Sequence, residues 1–498
     1  MTVDRPPEQV IALVQECRKL SSECEWLEFK ENDDREEEIG QNISALANSA
    51  ALLGKAFAYV VWGVNDSSHE IVGTTFNPRT AKVGSEELES WLLKLLDPKI
   101  SFRFFSVDVD NKHVVVLEIG RAFRSPVRFK QRKYIRVGSY TKALAGLPEK
   151  ERELWRILDD TPFEDCYAAE RMTSDRVLEL LDYPAFFHLL GLPLPEVKSG
   201  ILEALESDEV IKQEHSRWAV TNLGAVLFAR NLSKFGSVKR KAVRVIVYEG
   251  NNRMTTVKEQ PGGKGYASGF EGLIEYVNEL LPSNEVLGAA LRRTLPVYPE
   301  IAIRELVANA LIHQDLAVGG SGPMVEVFDD RMEITNPGKP LVEPHRFVDH
   351  APKSRNEALA SLMRRMGVCE ERGSGIDKVV FQTELYQLPA PLFEADEDTT
   401  RVVLFAPRPL QKMGKPDRVR ACYLHACLKQ VSHDSLTNSS IRERFGIEKK
   451  NSALASRLIK EAVDAGQITP RDPNAAPKYM TYAPWWAGAA EPEPVLDN

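Results

Sequence analysis

The stretch ECEWLEFK, residues 23–30, decides the fold of the first third of the chain. It is rich in aromatic and apolar residues, as strands are, and three similar stretches follow it: FAYVVWGV, FRFFSVDV and HVVVLEIG. One helical segment precedes it, and another separates it from the second strand. This order of helix, strand, helix and then several strands predicts an α+β domain over residues 1–161.

The composition is that of a globular protein with several domains. The 498 residues are too many for one hydrophobic core, and 43% of them are hydrophobic and 27% charged, as in folded chains. The amino terminus lacks the tracts of a signal peptide, so we expect a cytoplasmic protein with no membrane partner. Six cysteines without a CxxC pair argue against a zinc ribbon or a disulfide framework. The longest apolar run, residues 43–64, is too interrupted to span a bilayer, its breaks being Asn48, Ser49, Gly54 and Lys55.

Breaks in the pattern divide the rest of the chain. Residues 162–235 contain short helical patterns and two short strands around a turn, which predict a winged-helix-like connector. Residues 236–410 contain strands, a long helix and glycine-bearing turns. Residues 411–487 have the pattern of a carboxyl-terminal winged helix, and the acidic, proline-rich residues 488–498 predict a disordered tail. We therefore expect a multidomain α+β fold.

Carboxylates and a lysine cluster around the first strand. Because side chains alternate along a strand, Glu28 and Lys30 share one face; Glu23 lies just upstream, and Asp66 follows the second strand. Carboxylate oxygens are the ligands that Mg²⁺ or Mn²⁺ prefers, and a neighbouring cation can offset charge during phosphodiester cleavage. Glu23, Glu28 and Asp66 are therefore candidate metal ligands and, with Lys30, candidate catalytic residues. The alternative is that they are solvated acids beside the acidic stretch ENDDREEE.

In this region the sequence resembles the Schlafen family, through its AlbA-like core domain. The resemblance implies that Glu23, Glu28 and Asp66 form the trio with which Schlafen nucleases cleave RNA, notably transfer RNA. It also implies a role in phage defence or stress response, although many bacterial relatives are described only as DNA- or RNA-binding proteins. One departure is the stretch ALLGKAFAY, where relatives carry a short glycine turn. The matching motifs are Glu23, Glu28-Phe29-Lys30, SALANS (residues 44–49) and Gly63-Val64-Asn65-Asp66.

Residues 121–142, which we call the basic strip, carry many basic and no acidic residues, although the net charge of the chain is -8. Four aromatic residues interleave with the charges, so phosphate contacts and base stacking could come from one hairpin. Crowded like charges without partners favour a polyanionic ligand; the alternative is a solvated hairpin whose aromatic rings face the core. The candidate nucleic-acid-binding residues are Arg121, Arg124, Arg128, Lys130, Arg132, Lys133, Tyr134 and Arg136.

A second set of candidate residues begins in the predicted helix IAIRELVANALIHQDL. Glu305 and Asn309 are four residues apart and share one face; a carboxylate that activates water beside an amide that binds Mg²⁺ suits nucleotide hydrolysis. Downstream glycines would let backbone amides approach a phosphate at a helix start. Glu305 could instead be an ordinary surface charge. The candidate ATP-binding residues are Glu305, Asn309, Asn336, Gly338, Gly373, Ser374 and Gly375, and Asn309 is also a candidate metal ligand.

This ordered set resembles the GHKL ATPase fold, in the variant found at the carboxyl end of proteins labelled RecG-like helicases. The resemblance implies an ATP-binding α/β sandwich. One departure is the segment ITNPGKP, which has Asn336 where the family's adenine-binding aspartate is expected. The matching motifs are the Glu-x-x-x-Asn box at Glu305 and Asn309, SRNEALA (residues 354–360) and the glycine box at residues 371–375.

The carboxyl-terminal pattern is a short helix, a turn at Gly446, a second helix with basic residues and a hairpin-like end, which is typical of a winged helix-turn-helix. Such modules bind nucleic acid or serve as docking or dimer contacts, and the sequence leaves both open. The basic residues are Lys449, Lys450, Arg457, Lys460, Arg471 and Lys478.

The leading interpretation is an RNA endonuclease that uses Mg²⁺ or Mn²⁺, acts on tRNA-like or single-stranded nucleic acid and is controlled by ATP binding. We expect RNA in preference to DNA as the partner, and a homo-oligomer. The main alternative is a non-enzymatic, ATP-responsive DNA-binding transcriptional regulator. A third interpretation is an interaction scaffold in which both sites are inactive.

Overall fold

The computed structural model describes residues 7–20, 23–214, 217–287, 292–320, 322–351, 353–369 and 374–487. The chain divides into two compact units, each of which combines helices and sheets, so the predicted mixed fold class is confirmed. The first unit contains Met1–Glu179, Lys198–Ala225 and Ser233–Lys239, and the second contains Leu180–Val197, Val226–Leu232 and Arg240–Asn498.

The first unit begins with fourteen helices and strands. They are α1 (Pro7–Cys17), β1 (Leu27–Lys30), α2 (Glu36–Leu52), β2 (Phe57–Trp62), β3 (Lys82–Val83), β4 (Glu86–Glu87), α3 (Leu88–Leu95), β5 (Leu96–Asp97), β6 (Phe102–Val109), β7 (Lys112–Gly120), β8 (Arg128–Phe129), β9 (Arg132–Val137), β10 (Tyr140–Ala143) and α4 (Pro148–Asp160). The four strands predicted from sequence are β1, β2, β6 and β7.

A four-stranded sheet with helices on both faces forms the centre of this part. Its strand order is β1-β2-β7-β6; β1 and β2 are parallel, and the other neighbours are antiparallel. Helix α1 packs on one face, where Val14 joins a core with Phe29, and α2 packs on the other, where Ile43 joins a core with Val60. Because both faces are covered, β2 is a nearly continuous apolar run instead of an alternating one.

A second sheet, in the order β10-β9-β8-β5, lies against α2. The contact is close at Gly40, where a Cβ atom would lie 2.2 Å from the Phe129 ring. Nearby, Asn48 binds the backbone of the hairpin: its Nδ2 donates to the carbonyl oxygens of Val127 (3.0 Å) and Tyr134 (2.8 Å), and its Oδ1 accepts from Val127 N (2.8 Å). The SALANS segment therefore satisfies buried backbone groups of the hairpin.

The next elements are β11 (Tyr167–Met172), α5 (Ser174–Leu180), α6 (Tyr183–Leu189), α7 (Lys198–Ser207), β12 (Ile211–Glu214), β13 (Arg217–Thr221) and α8 (Asn222–Phe228). Strands β11, β13 and β12 form a three-stranded antiparallel sheet in that order, within the first unit. The two short strands predicted around a turn are β12 and β13. Helix α6 lies in the second unit.

A six-stranded sheet forms the centre of the second unit, in the order β15-β14-β18-β19-β21-β20. Helix α10 packs against β19, and α12 packs beside α10. Strand β19 ends at Pro337, and Gly338 then takes a φ of +100°, a conformation that glycine adopts readily. The elements are β14 (Arg244–Tyr248), β15 (Thr256–Pro261), α9 (Tyr266–Leu280), β16 (Ser283–Leu287), β17 (Arg292–Pro296), α10 (Glu300–His313), β18 (Met324–Val327), β19 (Arg331–Pro337), α11 (Glu357–Arg365), α12 (Gly375–Leu385), β20 (Leu392–Ala395) and β21 (Thr399–Phe405).

The second unit ends in three helices and a two-stranded hairpin. They are α13 (Lys415–Val431), α14 (Asn438–Arg444), α15 (Ser452–Asp464), β22 (Ile468–Pro470) and β23 (Tyr482–Pro484). A turn at Gly446, with a φ of +59°, follows α14, as predicted. Leu436, Ile441 and Leu458 are buried together beneath these elements. The predicted tail, residues 488–498, lies outside the described residues.

Within the described ranges, no helix combines the length and the apolar character that crossing a membrane requires.

Candidate functional sites

Glu28, Lys30 and Arg136 form an ion-pair cluster on the central sheet of the first unit. Lys30 Nζ lies 2.9 Å from Glu28 Oε1, because β1 places both side chains on one face, as predicted. Strand β9 brings Arg136 Nη1 to Glu28 Oε2, and Arg136 Nη2 lies 3.7 Å from Glu23 Oε2. Arg136 is 1% exposed and Glu28 6%. The structure thus corrects the prediction that Arg136 contacts nucleic acid, since its guanidinium points inward to two carboxylates.

Glu23 has an unusual protonation equilibrium in this cluster. Burial raises its pKa to about 7, and the Glu28 carboxylate adds to this rise. A hydrogen bond from Phe29 N to Glu23 Oε1 (2.7 Å) opposes the rise without cancelling it. For Lys30, burial lowers the pKa, but the hydrogen bond and charge of Glu28 outweigh burial, so the pKa is raised. The cluster therefore pairs cationic Lys30 and Arg136 with carboxylates of which one readily holds a proton.

The predicted metal trio is not assembled in this arrangement. Glu23 and Glu28 both lie against Arg136, whereas Asp66 is exposed beyond the end of β2, with Oδ1 3.5 Å from Ser67 Oγ. Across the described parts of the chain, no group of three or more histidine, cysteine or acidic side chains is placed to hold a metal ion. With their charge matched by Arg136 and Lys30, these carboxylates do not fit Mg²⁺ or Mn²⁺ as they stand.

Acidic side chains from other elements pair with much of the basic strip. The prediction that these charges lack partners is wrong for several of them, because acids from other segments of the chain pair with them. Arg132 is exposed and makes no ion pair with any described residue, and Tyr140 is 70% exposed. Arg124 is also exposed, whereas Arg121 and Tyr134 are half-buried. The pairs are Arg128 with Asp97, Lys130 with Glu37, and Lys133 with Glu151.

In the second unit, Glu305, Asn309, Asn336 and Gly375 line one cavity of about 200 Å³. Helix α12 begins at Gly375, in agreement with the helix start that the sequence predicts at the downstream glycines. A Cβ atom on Gly375 would lie 2.7 Å from Glu305 Oε2 and 3.6 Å from Asn309 Nδ2, so glycine allows α12 to approach α10. Gly338 and Ser374 lie outside the lining. Gly373 falls outside the described residues.

Three cationic side chains that the sequence analysis did not single out also line this cavity: Lys353, Arg355 and Arg364. His313 lines it as well, and burial lowers the pKa of this imidazole, with the charge of Arg355 acting in the same direction. Cationic walls suit a polyphosphate. The signal in the sequence was the basic character of the segment KSRNEALASLMRR, which surrounds the SRNEALA motif.

Asn356, the asparagine of the SRNEALA motif, binds the carboxyl-terminal end of α10. Its Nδ2 donates to the carbonyl oxygens of Ile312 and Gln314, each at 2.8 Å, and the side chain is 4% exposed. Carbonyl groups at a helix end lack intrahelical partners. Asn356 therefore ties the loop that carries Lys353 and Arg355 to the helix that carries Glu305 and Asn309.

The carboxyl-terminal module exposes a basic face on its second helix. Arg457 and Lys460 are exposed on α15, and Lys449 and Lys450 are exposed just before it. Glu461 on the same helix is neutralised by Arg418, whose Nε and Nη2 lie 2.9 and 3.0 Å from its carboxylate oxygens.

Two parts of the chain match known family models. Residues 23–145 match the family model "Schlafen, AlbA_2". This Schlafen-type domain includes Glu23, Glu28, Asp66 and the basic strip. Residues 320–404 match a second family model, described as "Putative ATP-dependent DNA helicase recG C-terminal". The two matches confirm the domain composition expected from the sequence and indicate a nucleic-acid-related, ATP-linked function.

Glu305 and Asn309 precede the residues covered by the second match. Their assignment to a nucleotide site therefore depends on the geometry of the cavity. No curated protein matches the chain. Among solved structures, the DIP2311 protein from Corynebacterium diphtheriae is similar, with 15% identity, a TM-score of 0.41, and coverage of 96% of this chain and 97% of that one.

Proposed function

We propose that this protein binds ATP in the cavity of the second unit and RNA on the Schlafen-type domain, and that the nucleotide controls what happens to the RNA. The observation that carries the proposal is the convergence of Glu305, Asn309 and Gly375 on one cationic cavity. An acid and an amide on one helical face, beside a helix start and basic side chains, suit a nucleoside triphosphate.

Calorimetry with ATP tests the nucleotide site. Asn309→Ala should weaken ATP binding, whereas Glu305→Ala should preserve binding and remove any hydrolysis, because in this proposal the amide binds the nucleotide and its ion and the carboxylate activates water. The matched control is Asn474→Ala, which changes an exposed asparagine outside the cavity. If the wild-type protein binds no ATP at millimolar concentration, the nucleotide part of the proposal fails.

We further propose RNA cleavage as the chemistry of the Schlafen-type domain, with Glu23, Glu28 and Lys30 at the reacting phosphate. The metal dependence expected from the sequence is not part of this proposal, because Arg136 and Lys30 already pair with these carboxylates. Transfer RNA, single-stranded DNA and double-stranded DNA should be incubated with the protein in Mn²⁺ and in EDTA. Cleavage that is lost in Lys30→Met supports the assignment; intact RNA under every condition refutes it.

The basic face of α15 favours the alternative, a DNA-binding regulator. The regulator is supported if the protein binds duplex DNA, if Arg457→Ala and Lys460→Ala lower the affinity for that DNA, and if no nucleic acid is cleaved. The nuclease proposal then fails. Homo-oligomer formation and a role in phage defence or stress remain parts of the proposal.

A further inference from the structure

A second cavity, of about 590 Å³, lies in the first unit, and we call it the Trp26 cavity. Its lining includes none of Glu23, Glu28, Lys30 and Asp66, and none of the basic strip. Its volume lies within the range of small-molecule sites. The aromatic part of its wall consists of Trp26, Phe57, Tyr59 and Tyr167. The rings of Trp26 and Tyr59 pack edge-on, with their centroids 6.3 Å apart.

The charges around the Trp26 cavity favour an anion. Both acids in its wall are engaged with the protein: Glu16 Oε2 lies 2.7 Å from Arg171 Nη1, and Glu170 Oε1 accepts a hydrogen bond from Ala56 N at 3.0 Å. Lys55 lies over the Trp26 ring, with Nζ 4.9 Å from the centroid. Lys55 and Arg217 both line the cavity, and neither makes an ion pair with any side chain that the structure describes.

The backbone is distorted where it lines this cavity. Strand β11 shifts register against β13 between Tyr167 and Ala169 and again between Ala169 and Met172. Arg171 takes a φ of +56°, which is unusual for a residue with a side chain. Such irregularities redirect side chains and concentrate at binding sites. Tyr167, Glu170 and Arg171 of this one short strand all line the cavity.

We propose that the Trp26 cavity binds a nucleotide, with the base against the aromatic wall and the phosphate paired with Lys55 and Arg217. Aromatic rings stack with any base, and cations beside them attract the phosphate. The nucleotide is either a free mononucleotide or one nucleotide of a bound RNA strand. This site is separate from the ATP cavity and from the proposed cleavage cluster, and it does not depend on either.

Calorimetry on the full chain carrying Asn309→Ala tests the inference. That substitution should weaken nucleotide binding in the cavity of the second unit, so that binding in the Trp26 cavity can be measured. The probes are uridine monophosphate, a single-stranded oligouridylate and inorganic phosphate. Lys55→Ala and Arg217→Ala should each lower nucleotide affinity about tenfold, since a charged hydrogen bond is lost. Lys82→Ala, at an exposed position outside the cavity, should leave it unchanged.

Each outcome of this experiment has one meaning. Mononucleotide binding that depends on Arg217 assigns the cavity to a free nucleotide, and Arg217-dependent binding of the oligouridylate alone assigns it to an RNA strand. Phosphate that binds as tightly as uridine monophosphate would show that the aromatic wall contributes nothing, and the inference fails. It also fails if neither uridine probe binds at millimolar concentration, or if Arg217→Ala and Lys82→Ala behave alike.

Discussion

Arg136 carries a buried positive charge that two carboxylates compensate. In Arg136→Met, Glu28 would stay buried beside a neutral side chain, and the loss of one partner of a buried ion pair typically costs about 3–5 kcal/mol. We therefore expect the free energy of unfolding in urea to fall by about that amount. Arg132→Met, at an exposed position of the same strand, should change it by less than about 0.5 kcal/mol. Equal effects of the two substitutions would show that the cluster adds no stability.

Asp377 is a second single residue with a testable effect, because it should make the stability of the folded protein depend on pH. Burial raises the pKa of this carboxyl to about 6 from its usual 3.8, and the nearby Asp349 adds to the rise. Between these two values the folded protein holds a proton that the unfolded chain has released, so stability should fall as pH rises from about 4 to about 6. Urea midpoints across this window should fall less in Asp377→Asn than in wild type. Asp464→Asn, at an exposed site, should behave like wild type.

At the scale of elements, the approach of α12 to α10 depends on one missing side chain. In Gly375→Ala the new Cβ would lie 2.7 Å from Glu305 Oε2, so one of the helices must move, and overpacking of this kind costs about 1–3 kcal/mol. We expect weaker ATP binding by calorimetry. In Gly272→Ala, on the exposed face of α9, the Cβ meets nothing within 4 Å, so ATP affinity should persist and stability should rise by about 0.5–1 kcal/mol. An unchanged ATP affinity in Gly375→Ala would place the nucleotide elsewhere.

These elements also show how far the sequence could be interpreted. Strand alternation correctly placed Glu28 beside Lys30, and helical spacing placed Glu305 and Asn309 on one face, because both relations are local. The burial of Arg136 depends on a pairing between distant strands, which local spacing does not report. Likewise, Asn356 lies just before α11, where a helix cap is expected, yet it binds the end of α10. The sequence signal for that role was only an asparagine within a family motif.

At the scale of the whole molecule, the mixed helix-and-sheet class follows from the sequence, but the charge balance does not. The charges of the strip appeared uncompensated along the chain, but in the fold Arg128, Lys130 and Lys133 pair with acids on β5, α2 and α4. Electrostatic attraction of RNA should therefore rest on fewer charges than the sequence suggests. This reduces the salt dependence expected for binding, because the slope follows the number of phosphates neutralised.

Control by nucleotide is the prediction that concerns both units. If ATP and RNA are coupled, ATP must change RNA affinity by the factor by which RNA changes ATP affinity. We expect RNA affinity, measured by calorimetry, to differ between protein with ADP and protein with a non-hydrolysable ATP analogue. The Asn309→Ala variant provides the control, since it should lose the difference together with the nucleotide. Equal RNA affinities, with both nucleotides shown to be bound, would mean that the two activities are independent.

The contact between Gly40 and the Phe129 ring has a consequence for evolution. Any side chain at position 40 would overlap the ring unless the hairpin moved away from α2. Related proteins that keep this hairpin should therefore keep glycine at this position, even where they have changed or lost their ligands. In a mutational library scored by growth, position 40 would be as intolerant as a catalytic residue. Its intolerance would reflect the close approach of α2 to the Phe129 ring, and it should not be counted as evidence for a reaction.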